Sequence, residues 1–274
     1  MALALRRCGR GGAAAAHAWG SAMSPRIGFV VGGVQKGGTT ALANFIGQHP
    51  QVRLPADKEA HVFDAPGFDE AWDAAAVDRR YLPHFGGALD RGALHGDATP
   101  IYCFYPRVIE RIARYNPAMR WILILRHPVD RAVSQYRMEH ARGYDAWPLW
   151  AAALLERWRV AGRWDDFDCD SPVRHVTYLS RGDYARQLDA LYRHFPRDQV
   201  LLLRNGELAG APDEVMVRVW RFLGLAPPPV QPTYGRVFDG GYAPLPQSAP
   251  TRRLLGLLLR RPMREAARRH GIHW

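Results

Sequence analysis

Residues 32–40 read Gly-Gly-Val-Gln-Lys-Gly-Gly-Thr-Thr and lie between two segments of different periodicity. Before them, residues 27–31 form an apolar run that predicts a buried strand. After them, Ala41, Leu42, Phe45 and Ile46 fall on one helical face. The order is therefore strand, glycine loop, helix. Glycines let the backbone turn sharply and approach an anion without an intervening Cβ. A helix N-terminus adds unpaired N–H groups and partial positive charge. Lys36 adds a full charge, and Thr39 and Thr40 add hydroxyls. This is a site suited to a terminal phosphate. It is not a Walker A loop, which needs Lys directly before Ser or Thr; here Gly38 holds that place.

The run Val-Gln-Lys-Gly-Gly-Thr-Thr-Ala-Leu resembles the 5′-phosphosulfate loop of sulfotransferases that use 3′-phosphoadenosine 5′-phosphosulfate (PAPS). The resemblance is closest to the heparan-sulfate type and its bacterial relatives, and extends with gaps over residues 27–225. It implies an α/β fold with a P-loop-like site. It also implies donor contacts from Lys36, Gly37, Gly38, Thr39 and Thr40, and no required metal.

A second segment, Glu59-Ala-His61-Val-Phe-Asp64, is similar to the family's E-x-H-x-F-D. Carried over residue by residue, Glu59 is the general base, with His61 and Asp64 as supporting groups. The chemistry agrees, because an acceptor hydroxyl or amine must lose a proton as it attacks sulfur. His61 is the alternative base. A third segment, Arg126-His-Pro-Val-Asp-Arg131-Ala-Val-Ser134-Gln-Tyr, is similar to R-[DH]-P-x-x-R-x-x-S-x-Y, which implies a 3′-phosphate held by Arg126 and Ser134. Independently, an Arg at the C-terminal end of a buried strand projects into the crevice where open α/β sheets bind ligands. Arg131 reads as structural. A lysine that the family often has after the acid at Asp97 is absent, and Ala98 stands there. The Gly- and Pro-rich residues 234–250 correspond loosely to a loop that closes on the nucleotide. Arg236, Gly240, Gly241 and Tyr242 are the candidates in it.

The remaining pattern predicts one α/β domain over residues 25–274. It has a central parallel sheet with helices on both faces, after an N-terminal extension, residues 1–24, expected to be disordered. Residues 121–125 and 199–203 read as further buried strands. Residues 106–115 and 211–225 read as helices, and another starts at Ser180 as N-cap. Tyr81 to Phe85 are expected over the cleft. Trp147, Trp150 and Trp158 are expected in the core.

The net charge of +11 sits at the ends: residues 1–26 hold four Arg and no acid, and residues 251–274 hold seven Arg and one Glu. The middle is close to neutral, which argues against a nucleic-acid-binding fold. The ends read as solvated charge, although the last basic segment is expected to be a helix packed on the fold. Three cysteines without paired spacing fit a reducing, cytoplasmic setting. No run approaches 18 apolar residues, so no transmembrane helix is expected. The expected activity is sulfuryl transfer from PAPS to a hydroxyl or amine of a polysaccharide, lipid or small metabolite. The rivals are a P-loop kinase and a non-enzymatic binder of acidic polymers. Oligomeric state is not written in the pattern.

Overall fold

The computed structural model of the protein describes residues 25–230, 232–235, 245 and 247–274. In chain order the elements are β1 (Ile27–Gly33), α1 (Thr39–Gly47), β2 (Val52–Arg53), α2 (Ala74–Tyr81), β3 (Leu94–Asp97), α3 (Pro106–Tyr115), β4 (Arg120–Leu125) and α4 (Pro128–Ala141). There follow α5 (Leu149–Leu154), α6 (Glu156–Arg159), α7 (Pro172–His175), α8 (Tyr184–Tyr192), β5 (Val200–Arg204), α9 (Asn205–Gly210), α10 (Pro212–Leu223) and α11 (Ala249–His270).

The five strands form one parallel sheet in the order β2-β3-β1-β4-β5. β1 lies at its centre and is buried throughout. Alternate residues of β4 enter opposite cores, as a period of two requires. Trp121, Leu123 and Leu125 join the core under α3, α4, α8 and α11. Ile122 and Ile124 join the core under α1 and α10. A sheet covered on both faces explains why its strands are apolar runs rather than alternating patterns.

Several local expectations change. Ser180 opens a short 3₁₀ turn, and Asp183 caps α8 by accepting the Arg186 N–H at 3.2 Å. Tyr81 is wholly buried and donates to Asp97 at 2.7 Å, so it belongs to the core and not to the cleft roof. Residues 145–162 form two short helices, and Trp147, Trp150 and Trp158 face solvent. The basic C-terminal segment is α11, capped by Ser248 and ended by Gly271 in the left-handed region. No helix among the described residues is long and apolar enough to cross a membrane. Residues 1–24, Arg236, Gly240, Gly241 and Tyr242 lie outside the described residues.

Candidate active site

The glycine loop leaves the C-terminal end of β1 and enters α1 directly. Gly38, the N-cap of α1, has φ 108°, a conformation that L side chains rarely adopt. A Cβ there would also lie 2.7 Å from Asn205 Nδ2, which donates to Gly37 O at 2.8 Å. Gly37 has a different task. Its Cα faces Ile124 O, which an added Cβ would approach to 2.2 Å, and its N–H donates to Val34 O at 2.8 Å. Gly37 therefore seats the loop on β4, while Lys36, Gly38, Thr39 and Thr40 line the cleft. No side chain caps α1, and its first turn holds no acid, so its positive end stays open to a ligand. Lys36 has φ 67°. Its Nζ lies 3.6 Å from Met138 Sδ. Burial, reinforced by the charges of Arg142 and Arg126, lowers its pKa to about 8.

The second cationic element follows β4. Arg126 extends from the strand end and donates through Nη1 to Lys36 O at 3.3 Å. Its own carbonyl accepts the Tyr184 hydroxyl at 2.8 Å. The two expected anion-binding segments therefore adjoin rather than stand far apart. Ser134 and Met138 on α4 and Arg142 at its C-cap recur every fourth residue and line the same wall. Arg131 turns the other way. It is fully buried and donates to Gln135 Oε1 at 2.8 Å and to Tyr178 O, as a structural arginine should.

Across the cleft, Glu59, His61 and Asp64 form a chain of contacts. His61 Nε2 lies 3.2 Å from Glu59 Oε2, and Nδ1 lies 2.9 Å from Asp64 Oδ2. Arg174 binds the far side of Asp64, with Nη1 2.8 Å from Oδ2 and Nη2 2.8 Å from the backbone carbonyl. Lys58 Nζ is 3.4 Å from Glu59 Oε1. His61 adopts φ 51°, costly for a residue with a Cβ, which points to a functional constraint. Its N–H donates to Thr99 Oγ1 at 3.4 Å, and Thr99 donates to the buried Asp97 at 2.8 Å. The strained turn is thereby tied to the end of β3.

Protonation follows from these contacts. Burial disfavours the His61 imidazolium, but the hydrogen bonds and charges of Asp64 and Glu59 prevail and raise its pKa to about 10. Burial also opposes ionisation of Glu59, and the His61 hydrogen bond with Lys58 outweighs it, holding the carboxyl below its ordinary value. At neutral pH the pair is thus imidazolium and carboxylate.

Both groups face one cleft of about 1470 Å³, wider than the ~300–1,000 Å³ of most small-ligand pockets. Arg174, Arg142 and Asn205 line it and had no sequence motif to mark them. Ala98 is buried, so no charge replaces the missing lysine at that position itself. Among the described residues, no group of three or more His, Cys, Asp or Glu side chains is arranged to hold a metal ion.

Comparison with known proteins gives a consistent result. Residues 104–233 match the model of the sulfotransferase domain. The chain is 31% identical over 196 residues to human heparan sulfate glucosamine 3-O-sulfotransferase 3B1, covering 72% of this chain and 45% of that protein. It is 29% identical over 210 residues to mouse bifunctional heparan sulfate N-deacetylase/N-sulfotransferase 4, covering 73% of this chain and 22% of that one. The chain thus spans less than half the length of these two relatives. A sulfotransferase structure from Alicyclobacillus acidocaldarius superposes with a TM-score of 0.68 at 25% identity, covering 89% of this chain and 95% of that chain.

Proposed function

The chain belongs with the heparan-sulfate-type sulfotransferases, and from that premise we propose that it moves a sulfuryl group from PAPS to an acceptor hydroxyl or amine. The observation that carries this reading is the pairing, in one cleft, of an open cationic loop with a carboxylate held ionised by a protonated histidine.

The chemistry needs three services from the protein. The donor's phosphates must be held, charge on the departing nucleotide must be offset, and the acceptor proton must be removed. Gly38, Thr39 and Thr40 offer N–H groups and hydroxyls to the 5′-phosphate, and Lys36 offers its ammonium to the bridging oxygen. Arg126 and Ser134 hold the 3′-phosphate and so orient the donor. Arg236 is proposed as a further nucleotide contact from sequence alone. Glu59 takes the acceptor proton as the acceptor–sulfur bond forms and the sulfur–oxygen bond to the nucleotide breaks, releasing adenosine 3′,5′-bisphosphate. On this reading His61, held as the imidazolium between two carboxylates, leaves that proton to Glu59. It orients Glu59 instead, with Asp64 and Arg174 orienting it in turn. The fit to the donor rests on this chain's own groups: an uncapped helix end, a lysine whose lowered pKa a phosphate would restore, and an adjacent arginine fork.

The acceptor is proposed only as a hydroxyl or amine compound. Cytoplasmic placement is proposed on the free cysteines Cys103 and Cys169. Ligand-dependent melting tests the donor. A compound at concentration well above its dissociation constant raises stability by RT ln(1 + [L]/Kd). Adenosine 3′,5′-bisphosphate should raise the melting temperature well above the shift given by AMP, and Arg126→Ala should erase the difference. Equal shifts from both nucleotides in the unmodified protein would remove PAPS as donor, and a PAPS turnover assay over acceptor classes would then find none.

A further inference from the structure

The outer face of α11 carries charge and apolar surface that the cleft does not use. Its buried side is Thr251, Leu255, Leu259 and Ala266. On the opposite side Arg253, Leu257, Arg260 and Arg264 recur at spacings of four, three and four, with Arg261 beside them, all exposed. The row runs about 16 Å at 1.5 Å per residue. None of these four arginines forms an ion pair with a described residue. The helix's one acid, Glu265, is taken by Arg268 and Arg269, each at 2.8 Å.

Leu257 stands within this charge, and Leu258 lies toward the flank of the helix. Leu257 is 67% exposed and Leu258 is 36% exposed. α5 packs against α11 and turns Trp150 and Leu154 to solvent, and Trp158 follows on α6 at 72%. Exposed large apolar groups beside charge mark an interaction surface, and α11 and the helix packed on it carry both. A soluble polyanion would satisfy the arginines and leave Leu257 and the tryptophans in water. An anionic bilayer takes both: guanidinium groups meet the headgroups, while leucine and indole enter the interfacial layer. We propose that the outer face of α11, together with the exposed Trp150 of α5 and Trp158 of α6, seats the protein on an anionic lipid bilayer. The placement matters for the cleft, because Arg252, at the start of the same helix, lines it and pairs with Asp130. Acceptors held at a membrane surface would then lie near the entrance. That last step rests on the sulfotransferase reading; the binding itself does not.

Co-sedimentation of the full chain with vesicles tests the proposal. The chain should sediment with phosphatidylcholine vesicles containing phosphatidylserine and stay soluble with phosphatidylcholine alone. Each arginine near such a surface contributes about fivefold, so Arg260→Glu with Arg264→Glu should weaken binding by at least about 25-fold. Leu257→Gln with Trp158→Gln should also weaken vesicle binding while leaving binding of dextran sulfate, a soluble polyanion, unchanged. All four positions are exposed, so melting temperature and bisphosphate binding should not move, which separates this test from the donor assignment. Failure to prefer phosphatidylserine vesicles would overturn the proposal. So would full vesicle binding by the Leu257/Trp158 variant, which would assign the row to a soluble polyanion.

Discussion

If Lys36 holds the donor's phosphate as proposed, nucleotide affinity should fall as pH rises through its pKa. In the free protein, burial and two neighbouring arginines bring its pKa from 10.5 to about 8. A bound phosphate adds negative charge beside the ammonium, so the bound pKa should return to 10.5 or above. At pH 7 roughly nine in ten molecules carry the ammonium, and at pH 9 roughly one in ten. Binding at pH 9 must therefore first load a proton. Affinity for adenosine 3′,5′-bisphosphate should fall about tenfold between pH 7 and pH 9, or ~1.4 kcal/mol. The ligand's own phosphates do not mask this, because their second ionisation lies near pH 6. Isothermal titration in two buffers of different ionisation heat reads the same event directly. Proton uptake should be about 0.1 at pH 7 and about 0.9 at pH 9. Lys36→Met should weaken binding by ~1.5–3 kcal/mol, the worth of a charged hydrogen bond, and flatten the profile. Unchanged affinity from pH 7 to pH 9 in the unmodified protein, with no proton uptake, would refute the placement of Lys36 on the phosphate.

Other outcomes follow from the same geometry. Glu59→Gln should keep bisphosphate affinity and lose ~10²–10⁴ in turnover; an active Glu59→Gln beside an inactive His61→Asn would move the base to His61. Turnover should persist in excess EDTA, since in the proposed mechanism Lys36 and the α1 N–H groups supply the positive charge for which a P-loop kinase also needs Mg²⁺; loss restored by Mg²⁺ would favour the kinase. His61 has a folded pKa of about 10 against 6.5 unfolded, so its contribution to stability is complete below pH 6.5 and is lost as pH rises through 10. The melting-temperature gap between the unmodified protein and His61→Gln should therefore narrow from pH 6 to pH 10, and a widening gap would contradict the imidazolium assignment.

Much of the fold was legible because parallel strands buried on both faces are continuous apolar runs, and β4 and α3 appear where the pattern predicts them. β2 was not legible, since two residues have no period and its pairing is fixed by β3. The tryptophans misled for a physical reason. Helical spacing of large apolar residues states that they share a face, but not whether that face meets the core or water. The same limit applies to the site. Segments contiguous in sequence were readable, whereas Arg174 lies 110 residues from the carbonyl it binds and belongs to no motif. The protonation state of His61 was also hidden, because it depends on carboxylates facing both ring nitrogens at once. Sequence left two candidate bases, and Glu59→Gln against His61→Asn is the measurement that separates them.

Sheet order supplies the remaining logic. β1 occupies the centre, with β4 on one side and β3 on the other. The loop after β1 and Arg126 after β4 place positive charge on one side of the cleft, and the Arg126–Lys36 contact joins them. The end of β3, through Asp97 and Thr99, anchors the His61 turn and puts the carboxylates on the other side. A parallel sheet ends all these strands at one edge, so the two charge types face each other across the exit of β1. The proposed transfer would use that arrangement, with the donor's leaving oxygen toward the cations and the attacking acceptor toward Glu59. Asp64 faces the other ring nitrogen of His61, so the imidazolium is shared between two carboxylates and is not given to Glu59 alone, while Arg174 fixes Asp64 in place.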